Sequence, residues 1–501
     1  MSFGAIDWAV FGGYFAVLAL SSWLFARVRI DSARDFFVGG NRIGMFAAAV
    51  SILATSQSAA TFLGAPDFSY RKDWTFLGFY ASALLAVVFV AGVLVPRFYA
   101  MRAVTVYELL EKRYGPEAKR AAGAMFLLGR IFASGARLYI GALAVAMLLY
   151  GDIEAPHMAV SIGVLLAGAL AYAAFGGVRS VIYSDAIQAF TYVGAGIAVL
   201  VYLMQALSAD PATLWHLLAT EEKLTLVRGG GTFGIASLLV GWTLLNIAAY
   251  GLDQDMTQRV LSCRDGRSGA RALYVSMALT VPVALLFLAI GSLLYLYYRH
   301  PELSGFEGTL SQVFAGEKVT VFMHFILDEM PEGLRGLVTV GAIAAALSST
   351  NSVLSAMASV AVEDFYRPFA RRRGMVEEAH FVRAGRIAVA VFALALGMMA
   401  MFSYYWQRAS DVPLLAFALA VMSFAYAGLL GVYAAAIFTR RGSARGVPWA
   451  LAGGFFTVAA MQPQVVPALA AWFPAPWPLA AGTAVSFAIM QAVSPRGAQR
   501  Q

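Results

Sequence analysis

Apolar runs of membrane-spanning length recur from one end of this chain to the other, and that recurrence restricts the fold more than any other feature. A helix that crosses a bilayer needs ~20 mostly apolar residues, and in hydrocarbon it must satisfy every backbone N–H and C=O internally. Thirteen segments meet the demand, at roughly 6–26, 43–66, 74–96, 121–150, 156–176, 185–206, 233–254, 271–298, 335–362, 384–405, 411–438, 447–464 and 470–493. The composition follows from them, with 60% of the 501 residues hydrophobic and 13% charged. The expectation is an all-α integral membrane protein with about 13 transmembrane helices, a single polytopic domain over 1–501. The longest polar gaps, about 207–232 and 299–334, leave no room for a soluble domain of usual size and read as loops carrying short surface helices.

Charge orients the segments. Nothing basic precedes the first one, while Arg27, Arg29 and Arg34 follow it, the reverse of a secretory leader. With the N-terminus outside, alternating the segments places 26 Lys and Arg residues on the cytoplasmic side and 8 outside, as the positive-inside rule requires. Arg259 is counted on the cytoplasmic side. The C-terminus is then cytoplasmic, and the location is the plasma (cell inner) membrane. The net charge of +8 is an orientation signal and lends nothing to a nucleic-acid reading. One cysteine, Cys263, excludes an internal disulfide. The five histidines fall in loops or at segment ends, which argues against a zinc centre or histidine-based catalysis within the bilayer. The chain does not read as an enzyme.

Ionisable residues inside spans are costly, so each invites a functional reading. Arg130 and Arg137 lie seven apart on the fourth segment, nearly on one face. Either recognises an anion such as a solute carboxylate, or ties helices together through an ion pair. Asp185 opens the sixth segment, where a carboxylate can cap a helix or hold a cation.

Two segments read as discontinuous. The second carries Thr55, Ser56, Gln57, Ser58 and Thr61 ahead of Gly64 and Pro66, a poor face for lipid. The seventh runs from Asn246 through Tyr250 and Gly251 to Asp253 and Asp255. Paired interrupted helices in corresponding halves of a transporter mark its binding site. They lie five segments apart, as an inverted five-plus-five repeat demands: a leading helix at 6–26, repeat one at about 43–206, repeat two at about 233–438 and trailing helices at about 447–493. On the ninth segment Ala345, Ser348, Ser349 and Ser352 share an arc of about 100°, extended by Ser355 and Ser359. Such a stripe suits a small hard cation or a close helix–helix seam.

These pieces resemble the sodium/solute symporter family, whose members share the leucine-transporter fold. The likeness spans about 36–440. It is carried by Gly39-Gly40-Asn41-Arg42, Gly176-Gly177 through Asp185 and Gln188, Asp253-Gln254 with Gln258-Arg259, and Ser348-Ser349-Thr350-Asn351-Ser352 running into Glu363-Asp364-Phe365-Tyr366-Arg367-Pro368. The resemblance implies a sodium site in which Ala54, Gln57 and Ala345 offer carbonyls and Ser348 and Ser349 hydroxyls. It implies a possible second sodium at Asp185, Ser348, Asn351 and Ser352, although Asn351 departs from the small hydroxyl residue usual there. For the solute, a sugar, carboxylate or similar small molecule, the resemblance and Arg137 suggest Gln57, Arg137, Asn246 and Tyr250, with Phe417, Ser423 and Phe424 as wall or gate. Gln57-Ser58-Ala59 with Leu63-Gly64 resembles the branch that carries monocarboxylates, vitamins and inorganic anions. The function implied is sodium-coupled symport that imports a small polar organic solute by alternating access, in contact with membrane lipid. Proton coupling on the same fold is the nearest alternative, and a membrane sensor a more distant one.

Overall fold

A computed structural model of the chain describes residues 4–26, 30, 32–307, 313, 314, 317, 318, 320–410, 414–462 and 465–493, without the side chains of Ser22, Phe25, Ala26, Leu148, Tyr172, Phe175, 409, 410 and 414–420. The described chain is almost wholly helical. In chain order the helices that matter are α1 (Ala5–Ala26), α2 (Met45–Ser56), α3 (Ala59–Arg71), α4 (Leu77–Ala100), α5 (Pro116–Tyr150), α6 (Ala155–Ala206) and α7 (Ser237–Leu252). They continue with α8 (Gln254–Leu261), α9 (Gly266–Arg299), α10 (Leu334–Val360), α11 (Glu378–Ser410), α12 (Leu414–Phe438), α13 (Gly446–Ala460) and α14 (Trp477–Ala492).

Among the described residues seven helices are long and apolar enough to cross a membrane alone, and an eighth span is the bent pair α2–α3. That is fewer than thirteen. Every apolar segment holds helix, and α7, α13 and α14 are each shorter than a full span.

Both expected discontinuities are present. α2 and α3 meet at 61°, across Gln57 (φ −89, ψ 130) and Ser58 (φ −132, ψ 174). The seventh segment breaks at Asp253 (φ −92, ψ 120), beyond Gly251, and α8 carries the chain on to Leu261. The Asp253 side chain restarts the helix by accepting from the Asp255 N–H at 2.9 Å.

Segments five and six follow each other without a loop within α6 and are divided by a kink at Gly177 (φ 58, ψ −162). A Cβ there would sit 2.6 Å from the Phe36 carbonyl oxygen, so the positive φ and the close approach both require glycine. The kink also corrects the capping role expected of Asp185. That residue lies well inside the helix, and its carboxylate is used by other elements.

α10 is the axle of the fold. Every residue from Val338 to Val360 is buried, enclosed by α1, α2, α3, α5, α6 and α11. Its small residues permit this: added Cβ atoms at Gly141 and Gly341 would lie 2.5 and 2.7 Å from Ala346 and Ala195. Its N-terminal end is clipped to the leading helix by Asp7, which pairs with Arg335 at 2.9 Å and accepts from the N–H groups of Gly333 and Gly336. α11, by contrast, exposes Ile387, Val391, Leu394, Met398, Phe402 and Tyr405 along one stripe, an apolar face suited to lipid.

Candidate functional site

The break in the second segment exposes carbonyls where a regular helix would use them. Thr55, Ser56 and Ser58 favour it, because short polar side chains offer the backbone competing hydrogen bonds. The Thr55 hydroxyl donates to the Ser51 carbonyl at 2.8 Å and the Ser56 hydroxyl to that of Leu53 at 2.8 Å. Among the described residues no backbone N–H donates to the Ala54 or Gln57 carbonyl. Both residues are buried, and Gln57 Oε1 is a buried acceptor without a partner. Unused oxygens in a dry place fit a hard monovalent cation.

α2 and α3 pack against α10 at this point, and the Thr55 and Ser352 hydroxyls lie 3.1 Å apart. The two key serines of α10 direct their protons away from the break. Ser349 donates to the carbonyls of Ala346 and Ala345 at 3.1 and 3.3 Å, and Ser348 donates to Asp185 Oδ1 at 3.0 Å. A hydroxyl that has given its proton to another oxygen keeps lone pairs for a cation. Ala345, Ser348 and Ser349 are all buried. The expected sodium set of Ala54, Gln57, Ala345, Ser348 and Ser349 is therefore chemically suited to the ion.

Asp185 stands beside that set and is completely buried. Oδ2 receives Ser51 Oγ and lies 3.3 Å from Ser352 Oγ. Arg259 Nη2 approaches the same oxygen at 3.4 Å. Arg259, counted with the cytoplasmic charges, is fully buried inside the protein and does not lie in an exposed loop. Asn351 is buried with neither amide atom partnered among the described residues. Of the second sodium set, Asp185, Ser348 and Ser352 are brought together, and Asn351 makes no hydrogen bond to them.

Three of the seven solute candidates, Arg137, Asn246 and Tyr250, line a cavity of about 60 Å³ between the two breaks, together with Ser56, Thr61, Tyr80 and Met422 among others. Small-molecule sites hold ~300 Å³ or more, so the cavity is closed down and must widen to admit an organic solute. Gln57 does not line it, but its Nε2 lies 3.4 Å from the hydroxyl of Tyr80, which does. Asn246 donates to Ser82 Oγ and to the Trp242 carbonyl, both at 3.0 Å. On α12, Met422 faces the cavity. Phe424 instead packs on Phe455 of α13, ring centroids 5.5 Å apart, so the gate expected of it falls on the trailing helices. Ser423 is half-buried and outside the lining. The side chain of Phe417 lies outside the described residues.

The two arginines of α5 differ. Arg130 is tied to the second break, its Nε 3.0 Å from Asp253 Oδ1 and its Nη2 3.4 Å from Asp255 Oδ2. The Tyr426 hydroxyl donates to Asp253 from α12. Arg137 has no carboxylate partner among the described residues and rests 2.9 Å from Met422 Sδ. Arg130 is a helix tie, and Arg137 offers its charge to the cavity. Sequence reasoning missed Ser51, Thr55, Tyr80 and Tyr426, whose roles follow from pairings that only the packed fold creates.

The family model for the sodium:solute symporter family matches residues 36–454. A sodium/sialic acid symporter, SiaT of Proteus mirabilis, is 30% identical over 73% of this chain and 72% of its own. Human sodium-coupled monocarboxylate transporter 1 is 27% identical over 90% of this chain and 72% of its own. The fold matches the solved substrate-bound outward-open state of a Na+-coupled sialic acid symporter with a TM-score of 0.81, at 23% identity over 99% of this chain and 98% of that one. It also matches Mhp1, a nucleobase-cation-symport-1 family transporter, with a TM-score of 0.54, at 15% identity over 93% and 95% of the two chains.

Proposed function

Since the chain belongs to the sodium:solute symporter family, a multi-pass membrane carrier that couples solute to sodium, we propose that its solute is a small organic carboxylate bound by Arg137. The observation that carries this reading is the half-buried guanidinium of Arg137 in the wall of the cavity between the two breaks, which pairs directly with no carboxylate among the described residues. A carboxylate entering the cavity supplies a direct partner in the bidentate geometry arginine favours. Asn246 and Tyr250 add polar groups to the lining. The monocarboxylate and sialic acid carriers among its relatives support the same choice of solute class.

In this reading sodium enters from outside and is held by the carbonyls of Ala54, Gln57 and Ala345 with the hydroxyls of Ser348 and Ser349. Those ligands come from both sides of the α2–α3 break and from α10, so the ion favours the arrangement in which they are together. The same break forms one wall of the solute cavity, through Ser56 and Ser58, which joins ion occupancy to the shape of the solute site. Each sodium moving inward contributes ~2.3 kcal/mol per 100 mV, in addition to its concentration gradient. The N-terminus lies outside and the C-terminus in the cytoplasm, across the plasma membrane.

The test is sodium-dependent thermal stabilisation of purified protein against sugars, amino acids, carboxylates and sialic acids. A carboxylate or sialic acid should add stabilisation only in sodium, and Arg137→Ala should abolish that increment. Stabilisation by a neutral sugar that survives Arg137→Ala would overturn the assignment.

A further inference from the structure

Resting on the sodium-symport reading above, we propose that the guanidinium of Arg259 is a tethered cation standing where a second sodium would bind at Asp185, so that the carrier couples to one sodium ion.

The second sodium set does not fit an ion in this structure, because two of its oxygens, Asp185 Oδ2 and Ser352 Oγ, already face Arg259. Nη2 lies 3.4 Å from Asp185 Oδ2 and is hydrogen-bonded to the Ser352 hydroxyl. Nε donates to Ser51 Oγ at 2.9 Å, and Nη1 lies 3.2 Å from Asp255 Oδ1. The group is fully buried. It therefore bridges the carboxylate beside Ser348 to the second break, with donors aimed at α2, α6 and α10.

Charge points the same way. The buried cluster from Asp185 through Asp255 and Asp253 holds three carboxylates, and Arg130, Arg137 and Arg259 supply three guanidinium groups around it. These balance. One sodium with one monoanionic solute on Arg137 preserves the balance, whereas a second sodium would leave a buried positive surplus, which is costly in a low-dielectric interior. Neutralising Arg259 reverses the situation: Asp185, Ser348 and Ser352 are left as an anionic oxygen cluster matched to a small cation.

The experiment is equilibrium binding of radioactive sodium to the purified full-length chain, counted per protein. One ion is expected on the natural protein and on Arg259→Lys, two on Arg259→Gln, and one again when Arg259→Gln is combined with Asp185→Asn. Two ions on the natural protein, or a single ion on folded Arg259→Gln, would overturn the proposal. No sodium on the natural protein would instead break the sodium-site reading on which it rests. Should Arg259→Gln fail to fold, the natural protein and Arg259→Lys decide between them: one ion on both supports the tethered cation, and two on either refutes it.

Discussion

The Thr55 hydroxyl lies 3.1 Å from the Ser352 hydroxyl, joining the broken second segment to the buried serine stripe of the ninth. Neither residue can contact lipid, since both are buried. This pairing fastens α2, just before its break, to α10 one turn from Ser348, in the region proposed for sodium.

Thr55→Val keeps the shape and removes the bridge. A buried hydrogen bond is worth ~1 kcal/mol, so sodium affinity should fall about fivefold. The midpoint of sodium-dependent thermal stabilisation reads this out, and an unshifted midpoint would detach the bridge from the site.

Arg137→Gln should raise the KM for an anionic solute at least tenfold while leaving sodium-dependent stabilisation in place. Arg137→Lys should not restore it, because an ammonium lacks the planar fork that pairs with a carboxylate. Uptake kinetics on the two variants, with sodium stabilisation measured in parallel, distinguish a solute ligand from a structural arginine.

Arg130→Ala leaves Asp253 and Asp255 with a lost counter-charge in a buried place. Breaking a buried ion pair from one side costs ~3–5 kcal/mol, and part of that loss should return when Asp253→Asn is added. Unfolding of the purified variants would show whether the pair is coupled or whether each change adds independently.

Gly177→Ala should sharply reduce folded protein, since it combines a φ of 58° with a Cβ 2.6 Å from the Phe36 carbonyl. Gly194→Ala, on the same helix with nothing within 4 Å of the added Cβ, should be tolerated. Equal yields for the two in a size-exclusion assay would contradict the close approach at Gly177.

Lys223, in the loop between α6 and α7, donates to the carbonyls of Tyr70 and Lys72 at 2.6 and 3.0 Å, at the end of α3. Burial pushes its ammonium down to about 8, against ~10.4 for an unfolded lysine. Between those values the unfolded chain binds the extra proton, so this group adds stability as pH rises through the window and withholds it below about pH 8. The stability difference between the natural protein and Lys223→Met should therefore grow in favour of the natural protein from pH 8 to 10. A flat difference would show that Lys223 keeps its proton.

Much of the fold is legible in the sequence because hydrocarbon imposes length and composition. The interrupted segments at Gln57 and Asp253, five apart, are visible as polar residues where a lipid-facing helix has none. The serine stripe is visible as spacing, but the partners of Asp185 are not: Ser51, Ser348, Ser352 and Arg259 come from three separate elements. The burial of Arg259 is not legible either, because charge counting follows chain position and takes no account of packing. Phe424 reads as a gate because an aromatic on a span carries no label for the side it faces.

The most direct measurement is uptake of a labelled sialic acid or monocarboxylate into proteoliposomes under an imposed inward sodium gradient, compared with an equal proton gradient. The account predicts accumulation driven by sodium alone, lost when Ser348→Ala and Ser349→Ala are combined. Accumulation that follows the proton gradient, or that persists undiminished in the double variant, would contradict it.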